Sequence, residues 1–198
     1  MNYLAHAYLS FNNAEVLAGN MISDYVKGKT QYDYPPGAQA GIRLHRAIDD
    51  FTDHHPATKE MMSLFRPQYR LYAGAFIDIV YDYFLANDPG EFENDAMLQQ
   101  FAQQTYSGLQ QFTPLFPAKF KHMFPFMVSQ NWLYHYQFDD GIRQSFNGLV
   151  RRAAYLSESD IAFELFIHNK PFLQQQYNIF FGSVKKFAAC TLQDLLKP

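Results

Sequence analysis

The stretch GIRLHRAIDDFTDHHP, residues 41–56, carries both the secondary structure and the chemistry of this chain. It follows Pro35 and Pro36, which suit the first turn of a helix, and runs to the break at His55-Pro56, so it reads as a helix, the third of the chain. Within it His45, Asp49 and Asp53 recur every four residues and rise along one side. Toward the N-terminus, Tyr3, Leu4, Ala7, Tyr8 and Phe11 make the apolar face of a first helix from Asn2 to about Phe11. A second helix, capped by Asn12 or Asn13, is expected to run through Glu15, Leu17 and Met21 to Lys27 and to stop at Gly28, with Asp24 on the Leu17–Met21 stripe. Toward the C-terminus, Pro56 opens a fourth helix that Pro67 interrupts. Tyr69 to Ala86 then reads as one long helix with Leu71, Ala75, Asp78, Asp82 and Leu85 on a stripe, ended by Asn87-Asp88-Pro89-Gly90. A Gln-rich helix to about Phe112, a Pro- and Phe-rich connector, and helical segments near Met127–Phe138, Asp140–Tyr155 and Asp160–Leu196, the last kinked at Pro171, complete an all-α helical bundle. No repeat or shift in composition marks a second domain.

Composition agrees with a folded chain. Of 198 residues, 48% are apolar and only 18% charged, which excludes wholesale disorder. There are 20 Phe and 14 Tyr, and each ring that is buried removes roughly 150–250 Å² from water, so the aromatic surplus needs a large core or a partner surface. Sixteen basic against 19 acidic residues argue against a general nucleic-acid binder. The single cysteine, Cys190, excludes an internal disulfide and a multi-cysteine zinc site, and is read as a core residue. The opening MNYLAHAYLSF lacks the basic lead of a secretory signal, and no apolar run approaches the ~20 residues needed to span a bilayer. A cytoplasmic protein without membrane contact is expected.

The informative feature is that Asp24, His45 and Asp78 fall on helix faces that burial would otherwise claim. Ionised carboxylates buried together repel one another and are costly to desolvate, and a divalent cation removes the difficulty. Oxygen-rich ligation with one or two imidazoles suits Mn²⁺, Mg²⁺ or Fe²⁺ better than a structural zinc. Each element also has a plainer reading. The IDDFTD carboxylates serve equally as exposed charges or as a cap for the next segment, Asp50 reads as exposed, and His54 and His55 read as loop residues. His6, at the edge of the first apolar stripe, is as well explained as a structural histidine. The chain contains no G-x-S-x-G, H-E-x-x-H, G-x-x-x-x-G-K-[ST] or G-x-G-x-x-G, which excludes the chemistries those motifs serve.

MNYLAHAYLS at the start, LAGNMISDYVKG at 17–28, YPP at 34–36, GIRLHRAIDDFTDHHP and IDIVYDYFLA at 77–86 together resemble the bacterial acyl carrier protein phosphodiesterases. Weaker similarity continues through NWLYHY and FNGLVRR, so the motif-bearing core spans about residues 1–155, and 156–198 reads as a helical extension without signature. The resemblance implies a divergent HD-type, HD-domain-like phosphohydrolase that uses Mn²⁺ to cleave 4′-phosphopantetheine from a serine of holo-acyl carrier protein. It implies Asp24, His45, Asp49 and Asp78 as metal ligands or their immediate neighbours, with Asp82 and His6 as weaker candidates. The contiguous His-Asp pair of the wider superfamily is absent: His45 is followed by Arg46, and Asp49 comes one turn later. Arg46 is expected to stabilise charge on the phosphoryl group or to pair with Asp49 or Asp50. The substrate protein is acidic, so Lys27, Lys29, Arg43, Arg66, Arg70, Arg151 and Arg152 are candidates to receive it. Two other readings stay open: a phosphohydrolase of nucleotides or small phosphoesters, with Trp132 stacking on a base, and a non-catalytic helical interaction protein. The aromatics beyond Phe112 are assigned to a channel for the pantetheine arm, to core, or to a homodimer interface.

Overall fold

The computed structural model describes residues 1–197, which form ten α-helices joined by short turns, with no strand among the described residues. The all-α reading therefore holds. Helix α1 is Tyr3–Tyr8 and α2 is Ala14–Ile22, and the turn between them passes through the left-handed backbone of Phe11 and Asn12. Asn13 caps α2, its side chain accepting the Val16 N–H. Beyond α2 the chain tightens into a 3-10 turn at Ser23–Tyr25 and a second at Gly28–Asp33. Asp24 thus lies after α2 rather than on its face. Helix α3, Pro36–His54, starts on Pro36 and ends at His55, whose own ring accepts the Ala57 N–H to open α4, Pro56–Tyr69.

Pro67 does not interrupt α4 but sits inside it. The real break follows, where Arg70 takes φ 48° and a 3-10 turn at Arg70–Tyr72 leads into α5, Ala73–Ala86. Leu71 is consequently flung outward, 97% exposed, instead of sharing a stripe with Asp78. Helices α6, Asp95–Gln110, α7, Ala118–Ser129, α8, Trp132–His135, and α9, Asp139–Arg152, follow, and the segment expected at Met127–Phe138 is two helices broken at Asn131, which is left-handed. The last helix, α10, runs unbroken from Asp160 to Leu195 through Pro171. Pro67, Pro125 and Pro171 all lie exposed, where water can take the carbonyl that proline's missing N–H leaves free.

The C-terminal third belongs to the body of the fold. Helix α10 packs against α3, α4, α5 and α9, and it buries Phe166, Leu173, Tyr177, Phe180 and Phe181. Its rings interleave with the rest: Phe180 stacks on Tyr81 at 4.3 Å, and Phe166 meets Tyr83 edge-on at 4.9 Å. Each such ring contributes about 2–3 kcal/mol on leaving water. The aromatic surplus is thus largely core. Cys190 is exposed at the far end of α10, contrary to the expectation that it is buried.

Among the described residues, α2 and α3 pack against each other most extensively. A Cβ at Gly19 would lie 1.9 Å from the Ala38 carbonyl oxygen, and one at Gly41 would lie 2.1 Å from that of Val16. Neither contact can relax by turning a side chain, because both neighbours are backbone. Gly41→Ala should therefore force the helices apart and cost about 3 kcal/mol or more, lowering the melting temperature by about 6–12 °C at this chain length. Thermal unfolding followed by circular dichroism checks this.

Candidate functional site

The close approach of α2 to α3 brings His45 against Asn20. The His45 Nδ1–H donates to the Asn20 carbonyl at 2.8 Å, with the Asn20 side-chain oxygen at 3.2 Å. The backbone carbonyl can only accept, so the Nδ1 proton is fixed and Nε2 faces the carboxylates. There it lies 3.0 Å from Asp24 Oδ1 and 3.0 Å from Asp49 Oδ2. Asn20, fully buried, also donates through Nδ2 to the His6 carbonyl at 2.9 Å and to Ser10 Oγ at 3.1 Å. One amide thereby ties α1, α2 and α3 together. Asn20 and Ser10 were not singled out from the sequence, although an asparagine inside the apolar run of α2 is itself the signal of a buried polar contact.

His6 completes the group. Its ring stacks on His45 with centroids 3.8 Å apart, and its Nε2 lies 3.1 Å from Asp49 Oδ1. Ligand atoms of His6, His45 and Asp49 all fall within 4.8 Å of one another, an arrangement that could hold a metal ion. His6 Nδ1 is buried without a hydrogen-bond partner. The Asp24 side chain, 67% exposed, closes the group on the solvent side.

Asp78 joins from α5, linked to Asp49 through the Met1 amino group, which donates to Asp78 Oδ1 at 2.9 Å and to Asp49 Oδ1 at 3.3 Å. Asp82, one turn on, has a different role. It is fully buried and accepts the Leu4 N–H at 2.8 Å on one oxygen and the Ala5 N–H at 3.2 Å on the other, so it anchors the first turn of α1 instead of facing the cluster. Arg46 also departs from expectation. Its guanidinium donates to Gln31 Oε1 and to the Val26 carbonyl, both at 2.9 Å, so it clamps the loop after Asp24 and pairs with neither Asp49 nor Asp50. Asp53 and Asp50 are exposed on α3, as is His54. Lys27, Arg43, Arg66 and Arg70 are exposed, and none forms an ion pair among the described residues.

Charge in the cluster is strongly coupled. Burial alone would raise Asp49, but the Met1 amine, His45 and His6 hold it well below the usual carboxylate range. Asp24 is lowered chiefly by its hydrogen bond from His45. His45 is driven down by burial and up more strongly by Asp24 and Asp49, to about 9, whereas burial and the neighbouring His45 charge push His6 down to about 4. Burial also raises Asp78, against the pull of the amine, and pushes Asp82 up to about 7 despite the backbone N–H groups that point at it. Two imidazoles of opposite tendency, stacked between carboxylates, leave room for one positive charge. A proton on His45 supplies it here, and a divalent cation would supply it better.

The sequence matches the family described as acyl carrier protein phosphodiesterase over residues 1–184. The match continues well into the segment beyond residue 155. Relatives named acyl carrier protein phosphodiesterase include proteins of Salmonella paratyphi A, 33% identical, Escherichia coli K12, 32% identical, and Klebsiella pneumoniae, 34% identical. Each similarity extends over 152 residues, 77% of this chain and 79% of the relative. No solved structure matches the chain.

His45 sets the pH dependence of the metal-free protein above about pH 6.5. Between about pH 4 and 6.5 the unfolded chain holds more protons at His6 and the folded chain holds more at Asp82, so the two oppose each other and stability changes little. From 6.5 to about 9 the folded chain holds more at His45, so stability falls. Stability is expected to be nearly level up to about pH 6.5 and to drop by on the order of 1–3 kcal/mol toward pH 9. Urea unfolding at several pH values in the presence of a chelator checks this, and saturation with a divalent cation should flatten the alkaline limb.

Proposed function

This chain belongs to the acyl carrier protein phosphodiesterase family, and from that premise we propose that it hydrolyses the phosphodiester joining 4′-phosphopantetheine to a serine of holo-acyl carrier protein. The observation that carries the reading is the convergence of His6 Nε2, His45 Nε2 and the Asp49 carboxylate, with Asp24 at the solvent edge. An HD-type phosphohydrolase needs such a set. Here the superfamily's adjacent histidine and aspartate are replaced by His45 and Asp49 one helical turn apart.

The donor set fits a divalent cation. His45 keeps its Nδ1 proton on the Asn20 carbonyl, so an incoming cation would displace only the Nε2 proton and take that lone pair, and the oxygen-rich surroundings favour Mn²⁺, with Mg²⁺ or Fe²⁺ as alternatives. His6, His45 and Asp49 would hold it, with Asp24 and Asp78 completing or supporting the set. When bound, the ion would neutralise phosphoryl oxygens and lower the pKa of water at the site. The chain's own groups do the rest. Asp24, the carboxylate open to solvent, takes a proton from the attacking water as its oxygen bonds to phosphorus. The bond from phosphorus to the serine oxygen breaks, and that oxygen receives the proton, giving apo-acyl carrier protein and 4′-phosphopantetheine. Arg46 is a positioning residue, fixing the Val26–Gln31 loop that follows Asp24. The unpaired cations Lys27, Arg43, Arg66 and Arg70 are offered to the acidic carrier protein. The cytoplasm is the compartment consistent with that substrate.

Holo-acyl carrier protein incubated with the protein and Mn²⁺ should lose the mass of phosphopantetheine in intact-protein mass spectrometry. Asp24→Asn, at an exposed side chain, should fold as the parent does and reduce the rate by about 10²–10³-fold. Asp49→Asn should act at least as strongly. A chelator should stop the conversion and added Mn²⁺ restore it. Undiminished turnover with chelator, or in both variants, excludes this centre as the catalyst.

A further inference from the structure

A cavity of about 570 Å³ is bounded by α8, α9 and the start of α1, the element that also carries His6. We propose that this cavity receives the pantetheine arm of the substrate, with the phosphate end toward the cluster and the arm running between Trp132 and α9. The assignment rests on the acyl carrier protein phosphodiesterase reading above.

Position comes first. Tyr3 lines the cavity and donates or accepts a 2.9 Å hydrogen bond with the hydroxyl of Tyr25, the neighbour of Asp24. Asn2 lines it too, and adjoins Met1, whose amine sits on Asp49 and Asp78. The cavity wall and the cluster thus share the start of the chain and are joined by the Tyr3–Tyr25 hydrogen bond. Chemistry comes second. Gln130, Gln144 and Asn147 line the walls, and primary amides of this kind offer both donors and acceptors. Pantetheine carries two secondary amides and a hydroxyl that need such partners along their length. Asn147 is held by accepting from Ser159 Oγ at 2.6 Å, which leaves its amide nitrogen free to donate. Trp132 is held by donating from Nε1 to Gln130 Oε1 at 2.9 Å, and its ring packs on that of Tyr3 at 6.4 Å, so the two rings together give the cavity one apolar wall for the arm's geminal methyl groups.

Charge comes third. Arg151 and Arg152 line the cavity and no carboxylate does, the polarity an anionic phosphate end requires. Volume also agrees, since the cavity lies within the range of about 300–1,000 Å³ usual for small-molecule sites. The phenylalanines Phe116, Phe120 and Phe124, by contrast, pack on one another at 4.7 to 5.9 Å and are buried, so they are core and not channel.

Two residues make the test direct. Trp132 is the chain's single tryptophan, so its fluorescence reports this cavity alone. Gly148 lines the cavity from α9, and a Cβ built on it meets nothing within 4 Å, so a large side chain there fills the space without disturbing the helix. Titration of the protein with 4′-phosphopantetheine should change Trp132 emission saturably. Gly148→Phe, checked for an unchanged melting temperature, should raise the dissociation constant at least tenfold, and Arg152→Gln should weaken binding several-fold as an independent surface variant. No saturable change in the parent, equal affinity in both variants, or saturation by adenosine monophosphate in place of phosphopantetheine overturns the assignment. Turnover of holo-acyl carrier protein is measured alongside. Saturation without turnover upholds the cavity and removes the reaction, whereas turnover without saturation upholds the reaction and removes the cavity.

Discussion

The backbone contact between α2 and α3 is the constraint from which the site follows. With Gly19 and Gly41 at the crossing, the Asn20 carbonyl comes within 2.8 Å of His45 Nδ1. A methyl group at either glycine would open that distance by more than a hydrogen bond tolerates. Because the carbonyl cannot donate, it keeps a proton on His45 Nδ1 whether the ring is charged or neutral, and so aims Nε2 at Asp24 and Asp49. The glycines thus act on chemistry through one imidazole ring. Asn20 extends the same logic to α1: its amide holds the His6 carbonyl, and His6 is thereby stacked on His45.

Three aspartates of similar sequence context end in three electrostatic conditions. Asp82 is satisfied in place, its oxygens accepting the amides of Leu4 and Ala5 while burial pushes its carboxyl up to about 7. Asp49 is held fully ionised by the cations around it. Asp24 is open to water and anionic, and so free to exchange protons with it. Leaving a buried carboxylate unpaired would cost several kcal/mol. The Asp82 cap is therefore what fixes α1, and α1 in turn brings His6 and Met1 to Asp49.

The α-helical class, the start of α3 at Pro36 and the pairing of His45 with Asp49 could all be read from spacing, because each depends on chemistry local to one helix. Asp24 was placed by extending a 3.6-residue period past Ile22, where no glycine or proline announces that α2 gives way to a 3-10 turn. Asp78 and Asp82 share a period yet serve different partners, since only the fold decides that α1's amides meet the second. Arg46 was expected at the phosphoryl group by its nearness to His45, but i+1 on a helix points away, toward Gln31 and Val26. Pro67 is expected to interrupt α4 yet sits inside it, facing solvent, where water can take the carbonyl that its missing N–H leaves free.

The aromatic surplus explains how so polar a cluster persists within a bundle that is mostly apolar. Phe65, Phe76, Phe146 and Phe166 form one chain of ring contacts, and Phe51, Phe180 and Tyr81 another, spanning α3, α4, α5, α9 and α10. Large rings have few rotamers and pack at high density, so the helices that carry His45, Asp49 and Asp78 are held against rearrangement. That rigidity matters most where like charges meet, because a flexible scaffold would let Asp49 and Asp78 part and become hydrated separately. Held in place, they keep a demand for positive charge that a bound cation can meet. The polar lining beside Trp132 lies outside both ring chains, which is why the space there is open to a ligand and not filled by the core.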